Sequence, residues 1–159
     1  MTAGAGQHIK RSGLGGKYLT FFLAGGEYGL EILKVREIIG PTPITPVPRT
    51  PDYVRGVVNL RGKLIPVVDL GKKLALDHQS DSQETCIIVT ESRQEHIGAM
   101  VDRVSEVLDI DADDIDEAPD FGSKVRTDYV LGIAKSGSRV KILLDVDRVL
   151  SGDKPDVQL

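Results

Sequence analysis

The chain contains little of what catalysis, extracellular stability or membrane insertion would need. Its 159 residues include one cysteine, three histidines and no tryptophan. A single cysteine cannot form an internal disulfide, which favours a reducing compartment such as the cytoplasm. No apolar run approaches the roughly 18 residues of a membrane-spanning helix. The Gly-rich N-terminus lacks the apolar core of a secretion signal, so we expect a cytoplasmic protein.

The charge and the aromatic content argue against nucleic-acid binding. The chain has 20 basic and 24 acidic residues, a net charge of −4, and only four tyrosines and three phenylalanines. Nucleic-acid binders usually combine a basic face with aromatic side chains that stack on bases. We therefore expect no nucleic-acid partner, and a gel shift at low salt would test that alternative.

Catalytic and metal-binding signatures are nearly absent from the sequence. His8, His78 and His96 have no metal-ligand spacing, and Cys86 has no neighbouring cysteine or histidine. The acidic run 109–117 lacks the glycine and the glutamate that a calcium loop needs at its sixth and twelfth positions. We expect no catalytic residue, no metal and no cofactor, although an enzyme with a site in a groove remains the second alternative.

The second half of the chain repeats the first. Gly29 aligns with Gly98 at an offset of 69, and after a connector residues 52–74 align with 128–150 at an offset of 76. Six of the 23 positions in that second block are identical, and it needs no gap. We interpret the chain as an internal duplication of a unit of about 60 residues.

The local patterns predict the elements of each unit. Gly25 and Gly26 stand between two runs of β-formers and predict a hairpin with a primed turn. The apolar spacing over residues 32–39 favours one or two helical turns. Five prolines within residues 40–51 predict an extended connector or sheet edge.

Several conserved positions of the repeat have predicted structural roles. Asp69 and Asp145 precede the last short helix of each unit and suit its N-cap. Gly56 recurs as Gly132, which indicates a bulge or a close approach of backbone.

Many short strands without a long helix predict an all-β fold with one small barrel in each unit. A domain of about 60 residues buries too little surface to be stable alone, so the two barrels should pack together about a pseudo-twofold axis. Their junction would form a groove suited to a partner. The predicted division is a tail over residues 1–17, a first barrel over 18–74, a linker over 75–83, a second barrel over 84–150 and a tail over 151–159.

Arg61 has no equivalent in the second unit. The first unit reads "NLRGK" where the second reads "KSGSR", so Leu60 and Arg61 replace ordinary turn residues. An arginine can form bidentate bonds with a carboxylate while its stem packs. Two interpretations stay open for Arg61, a binding or groove-organising role and a solvated hairpin tip. Glu37 could pair with a nearby arginine or contact a partner.

At these residues the sequence resembles the CheW family of bacterial chemotaxis coupling proteins. The segments "YGLEILKVREII", "TPITPVPRTPDYVRGVVNLRGKLIPVVDL" and "YVLGIAKSGSRVKILLDVDRVL" carry the resemblance, which covers about residues 18–150. It implies two five-stranded, SH3-like β-barrels and an adaptor that is not an enzyme. Such an adaptor bridges the cytoplasmic tips of methyl-accepting chemoreceptors to the regulatory domain of the histidine kinase CheA. Ring assembly with the kinase or with itself is a further expectation.

The resemblance also implies two sets of contact residues. The receptor groove is expected to include Val35, Glu37, Ile38, Gly56, Asn59, Leu60 and Arg61, with Val101 and Val104 from the opposite barrel. The kinase contact is expected at an exposed end of the first barrel, through Ile39, Ile44 and Val47.

Overall fold

The computed structural model describes residues 14–77, 82–117 and 127–150. These ranges contain eleven strands and two short α-helices. The strands are β1 (Gly16–Leu23), β2 (Gly26–Glu31), β3 (Val35–Ile39), β4 (Val54–Leu60), β5 (Lys63–Asp69), β6 (Cys86–Ser92), β7 (Glu95–Val101), β8 (Arg103–Ile110), β9 (Ile115–Asp116), β10 (Val130–Ser136) and β11 (Arg139–Leu144). The helices are α1 (Leu70–Lys73) and α2 (Val146–Leu150). The predicted all-β class, with two SH3-like barrels, is confirmed.

The two barrels exchange strands between the repeats. One sheet has the order β3-β6-β7-β5-β4, and we call it the first barrel. The other has the order β8-β1-β2-β11-β10-β9, and we call it the second barrel. Each barrel thus combines the N-terminal hairpin of one repeat with the later strands of the other.

The predicted division into contiguous barrels over 18–74 and 84–150 is therefore wrong. Sequence patterns define the strands of a hairpin, but they do not say which copy of the hairpin completes a given sheet. Because both repeats have the same apolar alternation, each accepts the other's hairpin.

The strand register follows the pseudo-twofold axis closely. Val67 on β5 lies opposite Gly98 on β7 in a parallel pair, and Leu143 on β11 lies opposite Gly29 on β2. These two pairs are related by the offsets of 76 and 69 found in the sequence. The duplication predicted from the sequence is thus a duplication of structure.

The first hairpin and the segment after it refine two predictions. A two-residue turn with positive φ at Ala24 and Gly25 joins β1 to β2, so the primed turn is confirmed one residue earlier than predicted. The predicted helical turns over 32–39 are only partly correct. A 3-10 turn covers Ile32–Lys34 and the remaining residues form β3, an edge strand of the first barrel.

Both predicted N-caps are confirmed. A side-chain oxygen of Asp69 accepts a hydrogen bond from the Lys72 amide at 3.1 Å. Asp145 accepts one from the Arg148 amide at 3.2 Å. Asp69 is almost fully buried and lies 3.7 Å from the Arg55 guanidinium, which compensates its charge.

Gly56 is a close-approach position, as the repeat predicted. Its φ is +139°, and a Cβ added there would lie 2.1 Å from the Thr45 carbonyl oxygen. Thr45 belongs to the Pro-rich connector and exchanges two backbone hydrogen bonds of 2.9 Å with Val57. The connector therefore runs along the edge of β4, and Gly56 permits it to do so.

Three apolar clusters fill the molecule. The largest, which we call the central cluster, takes buried residues from both barrels and from both helices, including Phe21, Leu70, Ile88 and Leu150. Two smaller clusters lie within the individual barrels. The barrels are thus packed through a shared interior, which meets the stability requirement inferred for such short units.

Some predicted segments lie outside the described residues. These are residues 1–13 of the predicted N-terminal tail, 78–81 of the linker and the whole C-terminal tail 151–159. The described part begins at Leu14, and β1 already includes Gly16 and Lys17, which we predicted to belong to the tail. No helix within the described ranges is long and apolar enough to cross a membrane.

Gly56→Ala tests the close approach to the connector. We expect this variant to lose at least about 2 kcal/mol of unfolding free energy, or to fail to fold, because the methyl group would overlap Thr45. Gly40→Ala is the matched control, since a Cβ at Gly40 would meet no atom within 4 Å. Urea denaturation measures both variants, and equal midpoints would contradict the assigned role of Gly56.

Candidate functional site

Glu37 and Arg61 form an ion pair at one end of the first barrel. One guanidinium nitrogen of Arg61, Nη2, lies 2.8 Å and 3.1 Å from the two carboxylate oxygens of Glu37. Glu37 lies on β3 and Arg61 lies in the turn between β4 and β5. Since β3 and β4 are the two edge strands of this sheet, the ion pair spans the seam of the barrel.

This ion pair sets the electrostatics of both groups. The hydrogen bond from Arg61 lowers the pKa of the Glu37 carboxyl, and the positive charge of Arg61 lowers it further. The same hydrogen bond raises the pKa of Arg61. Arg61 nevertheless keeps 73% of its side chain exposed, so its guanidinium remains accessible to a partner.

Arg61 occupies a backbone conformation that favours glycine. Its φ is +54° and that of Gly62 is +85°, as a type I′ turn requires. The Asn59 side chain stabilises the turn by accepting a hydrogen bond from the Gly62 amide at 2.8 Å. The equivalent of Arg61 in the second barrel is Gly137, with φ of +62°. The first barrel thus retains an arginine where the fold favours glycine.

A pocket of about 330 Å³ opens beside the ion pair. Its apolar wall comes from Leu60, Ile65 and Val89. Its polar rim comes from Arg36, Glu37, Arg61, Lys63 and His96. The pocket therefore combines an apolar surface with several cationic groups.

Further polar contacts organise this rim. The Arg36 Nε lies 3.1 Å from a carboxylate oxygen of Glu91. The Lys63 Nζ lies 2.6 Å from Nδ1 of His96, a contact in which the ammonium can only donate. The other ring nitrogen of His96, Nε2, lies 3.7 Å from a carboxylate oxygen of Glu91. These contacts were not predicted, because they join residues from β3, β5, β6 and β7. The one indication in the sequence was that His96 corresponds to an acid, Glu27, in the other repeat.

The structure brings together some of the predicted receptor-groove residues. Glu37, Leu60 and Arg61 line one pocket, with Asn59 in the adjoining turn. Ile38 is 45% exposed on the neighbouring position of β3. Val35 and Val104 occupy equivalent positions on the edge strands β3 and β8, and both are partly buried against the central cluster.

Two of the predicted receptor-groove residues offer no exposed side chain to a partner. Val101 is only 1% exposed and belongs to the central cluster, so its predicted place on a groove surface is wrong. Gly56 lies beneath the Thr45 backbone, and its requirement for glycine comes from that contact.

The predicted kinase-contact residues are partly buried. Ile39 and Ile44 pack against the apolar cluster of the first barrel. Val47 is likewise partly buried, while the prolines around it are exposed. The barrel core thus accounts for part of their apolar surface, and their role toward a kinase stays a prediction.

The residues considered for other chemistry have structural surroundings. Burial raises the pKa of the Cys86 thiol, which disfavours the thiolate. Asp109 and Asp116 in the acidic run pair with Lys17 and Lys135 at the surface. Within the described ranges, no three histidine, cysteine or acidic side chains are grouped closely enough to hold a metal.

The pKa of Glu37 reports directly on the ion pair. In Arg61→Gln we expect this pKa to rise toward the ordinary value of a glutamate, because the charged hydrogen bond is lost. NMR titration of the Glu37 side-chain carboxyl measures it. Arg36→Gln is the control, since Arg36 pairs with Glu91 instead. An equal shift in both variants would contradict a specific Glu37–Arg61 pair.

The sequence is similar to a known protein family over most of its length. The CheW-like domain model matches residues 17–154. The chain is 40% identical to a chemotaxis protein CheW of Klebsiella aerogenes, over 89% of this chain and 85% of the relative. It is 35% identical to a chemotaxis protein CheW of Rhizobium meliloti, over 88% and 91% of the two chains.

A solved structure extends this similarity to three dimensions. The crystal structure of the scaffolding protein TtCheW from Thermoanaerobacter tengcongensis aligns with a TM-score of 0.79 and 36% identity. The alignment covers 85% of this chain and 87% of that protein. Fold, duplication and sequence together show that this chain belongs to the CheW family.

Proposed function

We propose that the chain is a non-catalytic adaptor that couples the cytoplasmic tips of methyl-accepting chemoreceptors to the histidine kinase CheA. In this role it helps to build the receptor array at the membrane. Membership of the CheW family supports the proposal. The observation that carries it is the exposed arginine Arg61, held by Glu37 in a turn where the other repeat has glycine. An exposed arginine that adds little to packing and is oriented by an ion pair is a candidate for binding.

The proposed receptor contact uses the end of the first barrel that carries Arg61. A receptor tip is a helical hairpin, and an amphipathic helix binds a groove through apolar residues on one face. Ile38 and the partly exposed Val35 offer apolar surface on β3, beside the Glu37 carboxylate. Val104 offers the equivalent surface on the second barrel.

Leu33 extends this apolar surface. Its side chain is 91% exposed on the 3-10 turn that precedes β3. The other repeat has Asp102 at the equivalent position. An exposed leucine in the first repeat alone fits a contact that only the first barrel makes.

The proposed kinase contact uses the Pro-rich connector, through Ile39, Ile44 and Val47. A pocket of about 250 Å³ beside Ile44 offers a place for one apolar side chain of the regulatory domain. Interfaces that bury less than about 1,200 Å² in total are usually weak and transient. Several weak contacts joined in a ring gain avidity, because each later contact is intramolecular.

The exchanged strands suit the chain to transmit a change in packing. The central cluster joins both barrels, and the connector is attached to β4 by the hydrogen bonds of Thr45 with Val57. In this proposal a displacement at the receptor contact is passed to the connector through these contacts. Signalling in this proposal makes and breaks no covalent bond in the chain.

Reconstituted receptor membranes with CheA test the proposal. For the variant Arg61→Glu we expect a folded protein that no longer supports receptor control of kinase autophosphorylation, because two carboxylates would then repel each other. Lys17→Glu is the matched control, since it reverses an exposed, ion-paired charge on the second barrel. Full coupling by Arg61→Glu would overturn the role given to Arg61.

The exchange of both charges separates two ways in which Arg61 could act. The double variant Glu37→Arg with Arg61→Glu restores an ion pair of opposite polarity. Recovery of coupling would show that the pair shapes the site, whereas continued loss would show that the Arg61 guanidinium contacts the receptor itself. Unfolding of Arg61→Glu in circular dichroism would instead assign Arg61 to the fold.

A further inference from the structure

We infer that Lys63 and His96 form a site for one carboxylate side chain of the receptor helix, beside the Glu37–Arg61 pair. The inference rests on the proposed function, because it takes the receptor tip as the partner. It concerns a part of the pocket rim that neither the family comparison nor the sequence patterns assigned.

In the second barrel, the residue equivalent to Lys63 forms an ion pair with an acidic side chain of the same barrel. There, Arg139 lies 2.7 Å from a carboxylate oxygen of Glu27, whose side chain is only 7% exposed. The repeat offsets align Arg139 with Lys63 and Glu27 with His96. The first barrel thus keeps the cation and replaces its acid by a histidine.

The charges around Lys63 leave room for an external acid. Glu37 is engaged by Arg61, and a carboxylate oxygen of Glu91 lies 3.1 Å from Nε of Arg36 and 3.7 Å from Nε2 of His96. Among the described residues, the polar contact of Lys63 is with Nδ1 of His96, and no acidic side chain forms a salt bridge with its ammonium. A carboxylate at this rim would gain a charge-assisted hydrogen bond from the Lys63 ammonium, with Arg61 close by.

The surroundings define what kind of acidic residue fits. Leu60 contributes to the apolar wall of the same pocket. The aliphatic part of a glutamate could pack on this wall while its carboxylate reaches Lys63. The site therefore fits a helix face on which an acidic residue is flanked by apolar residues at a spacing of about three or four.

The affinity of the full-length chain for a soluble receptor-tip hairpin tests the inference. We expect Lys63→Gln to weaken binding about two- to fivefold, as for loss of one partly exposed charge contact. His96→Glu should weaken binding similarly, because the new carboxylate would form an ion pair with Lys63, as Glu27 does with Arg139. His96→Gln, which keeps a neutral acceptor, and Lys135→Gln on the second barrel should bind like the unchanged protein.

A charge exchange identifies the partner residue. Each acidic residue of the receptor hairpin is changed to lysine in turn, and Lys63→Glu is tested against every variant. We expect Lys63→Glu to restore binding to one of these receptor variants and to no other. Circular dichroism of each protein verifies that a loss of binding is not a loss of fold.

The outcomes separate this inference from the function on which it rests. If the unchanged chain binds the hairpin and Lys63→Gln binds it equally well, the carboxylate site is wrong and the adaptor function stands. A chain that does not bind the hairpin at all would overturn both. A loss on Lys63→Gln that appears with the kinase regulatory domain, and not with the receptor hairpin, would overturn the choice of partner.

Discussion

The exchange of hairpins between the two repeats is the constraint on which the rest of the structure depends. β6 and β7 of the second repeat complete the sheet of the first barrel, and β1 and β2 complete the other. Neither repeat therefore contains a whole sheet, and a central cluster of buried residues lies between them. This arrangement makes one cooperative body from two units that are too small to be stable alone. It also brings the His96 side chain of the second repeat to the Arg61 end of the first barrel.

Comparison of the two repeats separates the residues that the fold requires from those that it does not. Gly56 and Gly132 both accommodate a neighbouring backbone, and both Asp69 and Asp145 cap a helix, so these positions belong to the fold. Arg61 corresponds to Gly137 in the other repeat, and His96 corresponds to Glu27. Both departures fall at one end of the first barrel, although they are 35 residues apart in the sequence. Their convergence in space is a stronger indication of a binding site than either departure alone.

The sequence predicted what depends on local chemistry. Turn residues, helix caps and the need for glycine at Gly56 follow from neighbouring residues and from the repeat, and the structure confirms them. The strand exchange and the burial of Val101 could not be predicted in this way. Both depend on which copy of a repeated pattern pairs with which, and two near-identical apolar alternations contain no answer. For the same reason the contact between Lys63 and His96 was not foreseen, because strands of different repeats supply its two residues.

The ion pair of Glu37 and Arg61 is better understood as an orienting device than as a source of stability. An ion pair of this kind, with the arginine side chain 73% exposed, is screened by water and adds little to folding. Its two hydrogen bonds nevertheless fix the direction of a long side chain that would otherwise sample many rotamers. A guanidinium already fixed in place loses less conformational entropy when a partner binds, so the same contact yields more affinity. The proposed adaptor, which would bind through small interfaces, would gain from such preorganisation.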